Sequence, residues 1–573
     1  MPDALPIDGR EWMEKAWAEI EPYYQELHRR PLHAGTVDAW LADWSNLSAV
    51  MAEVYQRLWV ATTLDTTDLP AEQRYHAYLD GVYPNLQAAE QQLKDRLLDS
   101  GLEPAGYEMP LRNLRAQAQV YRQENLPLLT QEMKLAADYE RIIGAQTVTW
   151  DGEEKTVMQL SPLLQEPQRA QRERAWRLGA ERQLADRGAI NEVWRQAVAL
   201  RQQIAANAGL QGPGGADYRA YTWVQLLRFD YTPDDCRRFH SAIEQVVVPA
   251  AQRLYERRRQ RLGVATLRPW DLDVDPAGRP PLRPYRDLAH LQDGIQAIFN
   301  HIDPTLGRYF AAMRTEGLLD MENRKGKAPG GYCTEFFAAC RPFIFMNAVN
   351  VHDDVQTLLH EGGHAFHVFE TARLPYLQKS IGLEFAEVAS MSMELLGAPY
   401  LTHDQGGFYT PEEAARARLW HLEGMVTFLP YMVVVDAFQH WAYEHPTQAQ
   451  DPAACDGQWD ALWQRFMPGI DYRGLEDVRA TGWQRKPHIH TSPFYYIEYG
   501  LAQLGALQVW RNALADPAGA VRAYRQALAL GGSRPLPDLY AAAGARLVFD
   551  AAGLEPLIDL VEQTMQDLEA ANA

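Results

Sequence analysis

His360-Glu361-Gly362-Gly363-His364 sets two imidazoles four residues apart. On a helix such residues share a face, so both rings can aim a nitrogen at one point. Glu361 lies about 100° around the same helix, close enough to hold a water at that point. Farther along, Phe385-Ala386-Glu387-Val388-Ala389-Ser390 brings a carboxylate. Two histidines and a glutamate with one position left open is the ligand count of a catalytic zinc rather than a structural one. The pattern implies a zinc metallopeptidase with one Zn2+ per chain on His360, His364 and Glu387, and Glu361 as general base.

The flanks agree. Val355-Gln356-Thr357-Leu358-Leu359 and Ala365-Phe366-His367-Val368-Phe369 make a buried helix around the motif. Two glycines in mid-helix cost about 1 kcal/mol each relative to Ala, so they imply close approach of another backbone or of a substrate. The positions where a metzincin would place Gly and a third His hold His367 and Glu370, which excludes that class. The third ligand then falls to a glutamate on a later helix, where Glu384, Glu387 and Glu394 compete. Glu387 has the small neighbours Ala386, Ala389 and Ser390, which permit close approach, and Glu394 suits a partner that orients a ligand histidine.

A second group, Lys486-Pro487-His488-Ile489-His490 followed by Tyr495, Tyr496 and Tyr499, is dense in hydrogen-bond donors. Peptide hydrolysis passes through a tetrahedral oxyanion that phenol and imidazole donors can stabilise. Alone, the segment would be an aromatic core stripe; beside a zinc site, the donor reading is preferred.

The elements that must carry these residues are mostly helical. Apolar residues recur at three- and four-residue spacing over 11–30, 37–62, 71–98, 110–140 and 167–208. Around 141–161 the period changes, and Asp151-Gly152 between Ile142–Trp150 and Lys155–Leu160 predicts a hairpin. Cys340–Asn347 is consistent with a strand, and its Phe343–Met346 stretch is a candidate to pair with an extended substrate. Thr410-Pro411-Glu412-Glu413 opens a long helix with a capping box. Gly209–Ala216 is the best candidate boundary, dividing a helical region 1–208 from a catalytic region 209–573. Arg324–Gly331 lacks the ending of a phosphate loop and is expected to be a mobile loop.

With 573 residues, 47% of them hydrophobic, the chain can bury a large core. Its net charge of −20 argues against nucleic acid as a partner; the basic run Arg257–Arg261 is expected to be a solvated helix face. Four scattered cysteines make no disulfide framework. The acidic N-terminal stretch with Asp3, Asp8, Glu11 and Glu14 is unlike a signal peptide, and the longest apolar run, near Met425–Phe438, is too short for a bilayer. The expectation is a soluble cytoplasmic protein without membrane partners, whose oligomeric state the sequence does not set.

The zinc motif, the Phe-Ala-Glu-Val-Ala-Ser segment and the His/Tyr block together resemble the thimet oligopeptidase and oligoendopeptidase F family. The resemblance extends from about Arg268 to the C-terminus, with Leu-Arg-Pro-Trp-Asp-Leu at 267–272 and Asp353-Asp354-Val355 before the zinc helix. It implies a mostly α, bilobed ellipsoid with a deep central channel and a few short strands near the active site. It implies zinc on His360, His364 and Glu387, and Glu361 as base. Tyr499 and a histidine of the block would stabilise the oxyanion. This chain departs from the thimet branch, with Thr491-Ser492-Pro493 in place of a glycine-rich turn and Ala502 at a further tyrosine position, which leaves the roles of Tyr495, Tyr496, Tyr499, His488 and His490 open; the spacing favours Tyr499 and His490. The implied activity is internal cleavage of short peptides. The block is also similar to that of angiotensin-converting enzyme, where the lysine matching Lys486 receives a substrate C-terminus, so the alternative is a carboxypeptidase or dipeptidyl carboxypeptidase.

Overall fold

The computed structural model describes residues 8–212, 215–328 and 330–571. Asp3 and three positions of the two glycine-rich loops (Pro213, Gly214 and Pro329) fall outside the described residues. The chain is mostly α, with a three-stranded sheet and two two-stranded ladders as its short strands. It forms two compact units, each assembled from three stretches of chain: Met1–Ala116, Arg283–Ala414 and Gly505–Leu547 in the first, and Gln117–Leu282, Ala415–Leu504 and Val548–Ala573 in the second. This division differs from the expected one at 208/209, since the glycine-rich stretch lies inside the second unit as a short ladder of Gln211–Gly212 with Gly215–Ala216.

The first unit is built around the 28-residue helix Val37–Leu64, whose Trp40, Leu41, Trp44 and Leu47 are fully buried. One carboxylate, Glu90, accepts hydrogen bonds from Tyr24 Oη, Trp44 Nε1 and Ser48 Oγ, each 2.8 Å long, which ties three helices at their polar atoms. Glu53 of the same helix, with no exposed surface, accepts from Ala339 N at 2.7 Å and so joins the helix to the sheet. In that sheet Arg341–Ala348 is the middle strand, parallel to Leu319–Glu322 and antiparallel to Tyr332–Phe336. The expected strand is therefore present, but it has a neighbour on each side and no edge to offer a substrate. Lys327 holds the loop beside it. Its fully buried ammonium donates to the carbonyls of Asp320, Glu322 and Met346 at 3.1, 2.9 and 2.6 Å, so the expected mobile loop is tethered to the sheet.

In the second unit the hairpin forms as Thr147–Trp150 paired with Glu153–Thr156, and Asp151 and Gly152 both take positive φ, as a two-residue turn of this hand requires. Its flanks are shorter than the sequence suggests: the preceding helix runs to Gly144, and Met158–Gln165 is a 3-10 segment. The 30-residue helix Pro233–Leu262 starts with a Thr232/Asp235 capping box, ends at Gly263 with φ 64°, and packs on the Ala551–Ala570 helix. Its basic run is not merely solvated, because Arg257 and Arg261 both pair with Glu569, at 3.1 and 3.0 Å.

Candidate active site

Strand Arg341–Ala348 leads directly into helix His352–Glu370. The Asp354 carboxylate starts that helix by accepting the N–H groups of Val349 and Val351, both at 2.9 Å. Two turns later the rings of His360 and His364 stand 5.0 Å apart at 82°. Helix Leu383–Gly397 crosses the histidine helix at the glycines. A Cβ on Gly363 would lie 2.4 Å from the Ala389 carbonyl oxygen, and one on Gly362 would lie 2.5 Å from the Phe299 ring. Gly363 thus answers the close approach of another backbone, and Gly362 that of an aromatic ring. Tyr524 pins the crossing by donating to that same Ala389 carbonyl at 2.9 Å.

The crossing sets the Glu387 Oε2 oxygen 3.3 Å from His360 Nε2 and 3.7 Å from His364 Nε2. Ser390 Oγ donates to the same oxygen at 2.8 Å. Behind His360, Nδ1 meets Glu394 Oε1 at 2.6 Å, which fixes the ring so that Nε2 faces Glu387. Of the three competing glutamates, Glu387 converges on the histidines, Glu394 orients one of them, and Glu384 is buried elsewhere, beside Tyr540. Converging nitrogens and a carboxylate oxygen within 4.8 Å of one another fit a tetrahedral cation with an open position.

Glu361 is 8% exposed, and burial is the main cause that raises its carboxyl to about 7, with Glu387 and Glu394 adding to it while His360 and the Cys333 N–H oppose. A dication on the three ligands would oppose the rise further. Burial pulls the His364 imidazole down to about 4. For His360 burial acts the same way, but the hydrogen bonds to Glu387 and Glu394 win and raise it. The Cys333 contact is informative, because Cys333 lies on the edge strand Tyr332–Phe336, which is thereby seated beside Glu361.

The His/Tyr block belongs to the second unit. Helix Pro487–Thr491 is followed by a turn and by helix Tyr496–Ala515. The turn contains no glycine, and Phe494 takes φ 63°, a left-handed conformation that costs an L-residue about 1–2 kcal/mol. Its N–H donates to Gln439 Oε1 at 2.7 Å and its carbonyl accepts from Arg228 at 2.6 Å. Beyond it, His488 stacks on Tyr495 at 5.5 Å and stands 5.0 Å from Tyr496 and 6.2 Å from Tyr499. Lys486 Nζ donates to Tyr496 Oη at 2.7 Å. His490 does not join this group. Its ring is 3% exposed, stacked on Tyr139 at 4.1 Å and enclosed by Trp194 and Trp483. The spacing that favoured His490 over His488 does not match this placement.

The family model for peptidase family M3 matches residues 162–557, well over half of the sequence. The chain belongs to peptidase family M3. Within M3, it is 25% identical over 276 residues to the oligopeptidase PepF of Bacillus subtilis and 24% identical over 260 residues to an oligoendopeptidase F homolog of Borreliella burgdorferi. These matches cover 46% and 43% of this chain, but only 39% and 42% of those relatives. Among solved structures, PZ peptidase A with inhibitor 2 superposes with a TM-score of 0.85 at 28% identity, covering 99% of both chains. A 3.1 Å X-ray structure assigned as oligoendopeptidase F gives 0.87 at 29%, covering 99% of this chain and 100% of its own.

Several residues of this M3 site escape sequence reading. Tyr524 and Cys333 come from distant segments or act through backbone atoms, and nothing in their local sequence marks them. Asp354 is marked in the sequence within Asp353-Asp354-Val355, in the first turn of the helix His352–Glu370, but its role in accepting the Val349 and Val351 N–H groups is not.

Proposed function

We propose that this M3 chain is a zinc-dependent oligoendopeptidase of the cytoplasm that hydrolyses internal bonds of short peptides. The observation that carries the reading is the convergence of His360 Nε2 and His364 Nε2 on one Glu387 oxygen, at 3.3 and 3.7 Å, with Glu361 on the same helix. Two further facts support it. Among the described residues no helix is long and apolar enough to cross a membrane, and all four cysteines are free thiols.

In this reading His360, His364 and Glu387 hold one Zn2+, and Glu394 and Ser390 keep two of these ligands in position. Zinc would supply Lewis-acid polarisation of the scissile carbonyl and of the attacking water. Glu361 takes a proton from that water and delivers it to the leaving amine nitrogen. The edge strand Tyr332–Phe336 takes the extended substrate by backbone pairing, which gives affinity with little sequence choice. Tyr499, with Tyr496 and His488, donates to the oxyanion.

Glu361→Gln tests the base. It should bind zinc as the wild type does and lose roughly 10²- to 10⁴-fold in kcat. A variant with full zinc and undiminished turnover would remove Glu361 from the role.

A further inference from the structure

A second group of metal-ligand side chains lies inside the second unit, made by two helices that each present a pair one turn apart. Cys236 and His240 come from helix Pro233–Leu262, and Asp436 and His440 from helix Pro411–Glu444. Residues four apart face the same way, so the two pairs meet. One ligand atom from each of Cys236, Asp436 and His440 lies within 4.8 Å of the others. Asp436 Oδ2 is 3.3 Å from His440 Nε2 and 2.7 Å from His240 Nε2. Two ligand atoms about 2.1 Å from a tetrahedral zinc stand about 3.4 Å apart, and His360 and Glu387 of the first site show the same 3.3 Å spacing.

Burial makes the group hard to explain as ordinary core. Cys236 and Asp436 have no exposed surface and His440 is 4% exposed. Among the described residues Asp436 Oδ1 and His440 Nδ1 have no hydrogen-bond partner, and His440 Nε2 meets only Asp436 Oδ2, at 3.3 Å. A buried carboxylate oxygen and an imidazole nitrogen left unsatisfied are expensive. A plain His240–Asp436–His440 network leaves Asp436 Oδ1, His440 Nδ1 and the thiol unused. A dication takes the thiol, one carboxylate oxygen and one imidazole nitrogen as ligands, and its charge is balanced by one thiolate and one carboxylate, so the buried site is neutral.

We propose that Cys236, Asp436 and His440 bind a transition-metal dication, zinc by ligand preference, with His240 orienting the Asp436 carboxylate. Thiolate, imidazole and carboxylate together are a donor set that zinc accepts. As the metal–sulfur bond forms, Cys236 releases its Sγ proton to solvent. The site's role follows from its neighbours. Gln439, adjacent to His440, accepts the Phe494 N–H, and the His440 and Phe494 rings are 5.2 Å apart. The ion fixes the part of the long helix that holds the turn ahead of Tyr495, Tyr496 and Tyr499.

The test uses the full chain with His360→Ala and His364→Ala, which removes two ligands of the first site. This variant is equilibrated with Co2+, freed of excess metal, and read by cobalt content and near-ultraviolet absorption. The expected result is one cobalt per chain with a thiolate-to-cobalt charge-transfer band, both lost on adding Cys236→Ser. Failure to retain cobalt, or cobalt whose spectrum is indifferent to Cys236→Ser, overturns the proposal. X-ray absorption of the zinc-loaded double variant reads the same point without a cysteine change. One sulfur neighbour near about 2.3 Å supports the site, and a shell of nitrogen and oxygen alone contradicts it.

Discussion

His488 and His490 sit two residues apart in one short helix and have separate surroundings. Burial, with Lys486 nearby, holds the His488 imidazole down to about 4, and burial with Arg201 nearby holds His490 down to about 3. Both are neutral at pH 7, but only His488 stands among the tyrosines. We expect His488→Ala to lower kcat by roughly 10²-fold, and His490→Phe, which keeps the aromatic stack, to leave kcat within a few-fold. The reverse order would restore the spacing-based choice. A stability prediction follows from the same shifts. Unfolded histidine takes up a proton near 6.5, while the folded forms resist until about 4 or below. Between those values the unfolded chain binds more protons, so stability falls as pH is lowered through that window. Urea midpoints measured from pH 6.5 to 4 should show this fall, and it should be shallower in His490→Phe. The convergence of His360, His364 and Glu387 was legible because the histidine spacing is a helix period and the small residues around Glu387 permit close approach. The choice between the two histidines was not, because the walls around His490 come from Tyr139, Trp194 and Trp483, scattered along the chain.

The elements that position the site were read mainly from period. The helix of His360 and His364, the strand before it, the Asp151-Gly152 hairpin and the long helix after Thr410 all form near their expected residues. Helix breaks were missed at Val82, Asp186 and 121–125, although Gly81 and Pro84, Gly188 and Pro127 stand at or beside them and mark helix boundaries. Strand order was also hidden, because an apolar run reads the same whether it is central or at an edge. The crossing at Gly363 is the most demanding contact between elements. Gly363→Ala would drive a methyl into the Ala389 carbonyl and should destabilise the protein by about 1–3 kcal/mol while weakening zinc binding, since the same crossing sets Glu387. Gly424, also mid-helix, has open space where its Cβ would be, so Gly424→Ala should be stabilising by about 0.5–1 kcal/mol. Thermal melts of the two variants should move in opposite directions. A harmless Gly363→Ala would mean that the close crossing is not what places the carboxylate.

For the whole molecule, the informative fact is that each unit gathers three separated stretches of chain. The sequence suggested one cut, at a cluster of glycines, because composition marks loops but not which helices pack together. A fragment of residues 209–573 lacks segments of both units, and we expect it to show no cooperative unfolding transition in urea. A fragment that unfolds cooperatively would restore the 208/209 division. The chain's membership of family M3 rests on a match over most of its length, and the proposed action on peptides rests on the convergence of His360, His364 and Glu387 in the first unit. The most direct measurement pairs metal analysis with cleavage of C-terminally amidated peptides of about five to fifteen residues, a range set by recognition of a short extended segment. The account predicts internal cuts that stop with a chelator and return when zinc refills the His360, His364 and Glu387 site. A zinc-loaded protein that leaves amidated peptides intact would contradict it and favour an enzyme that needs a free C-terminal carboxylate.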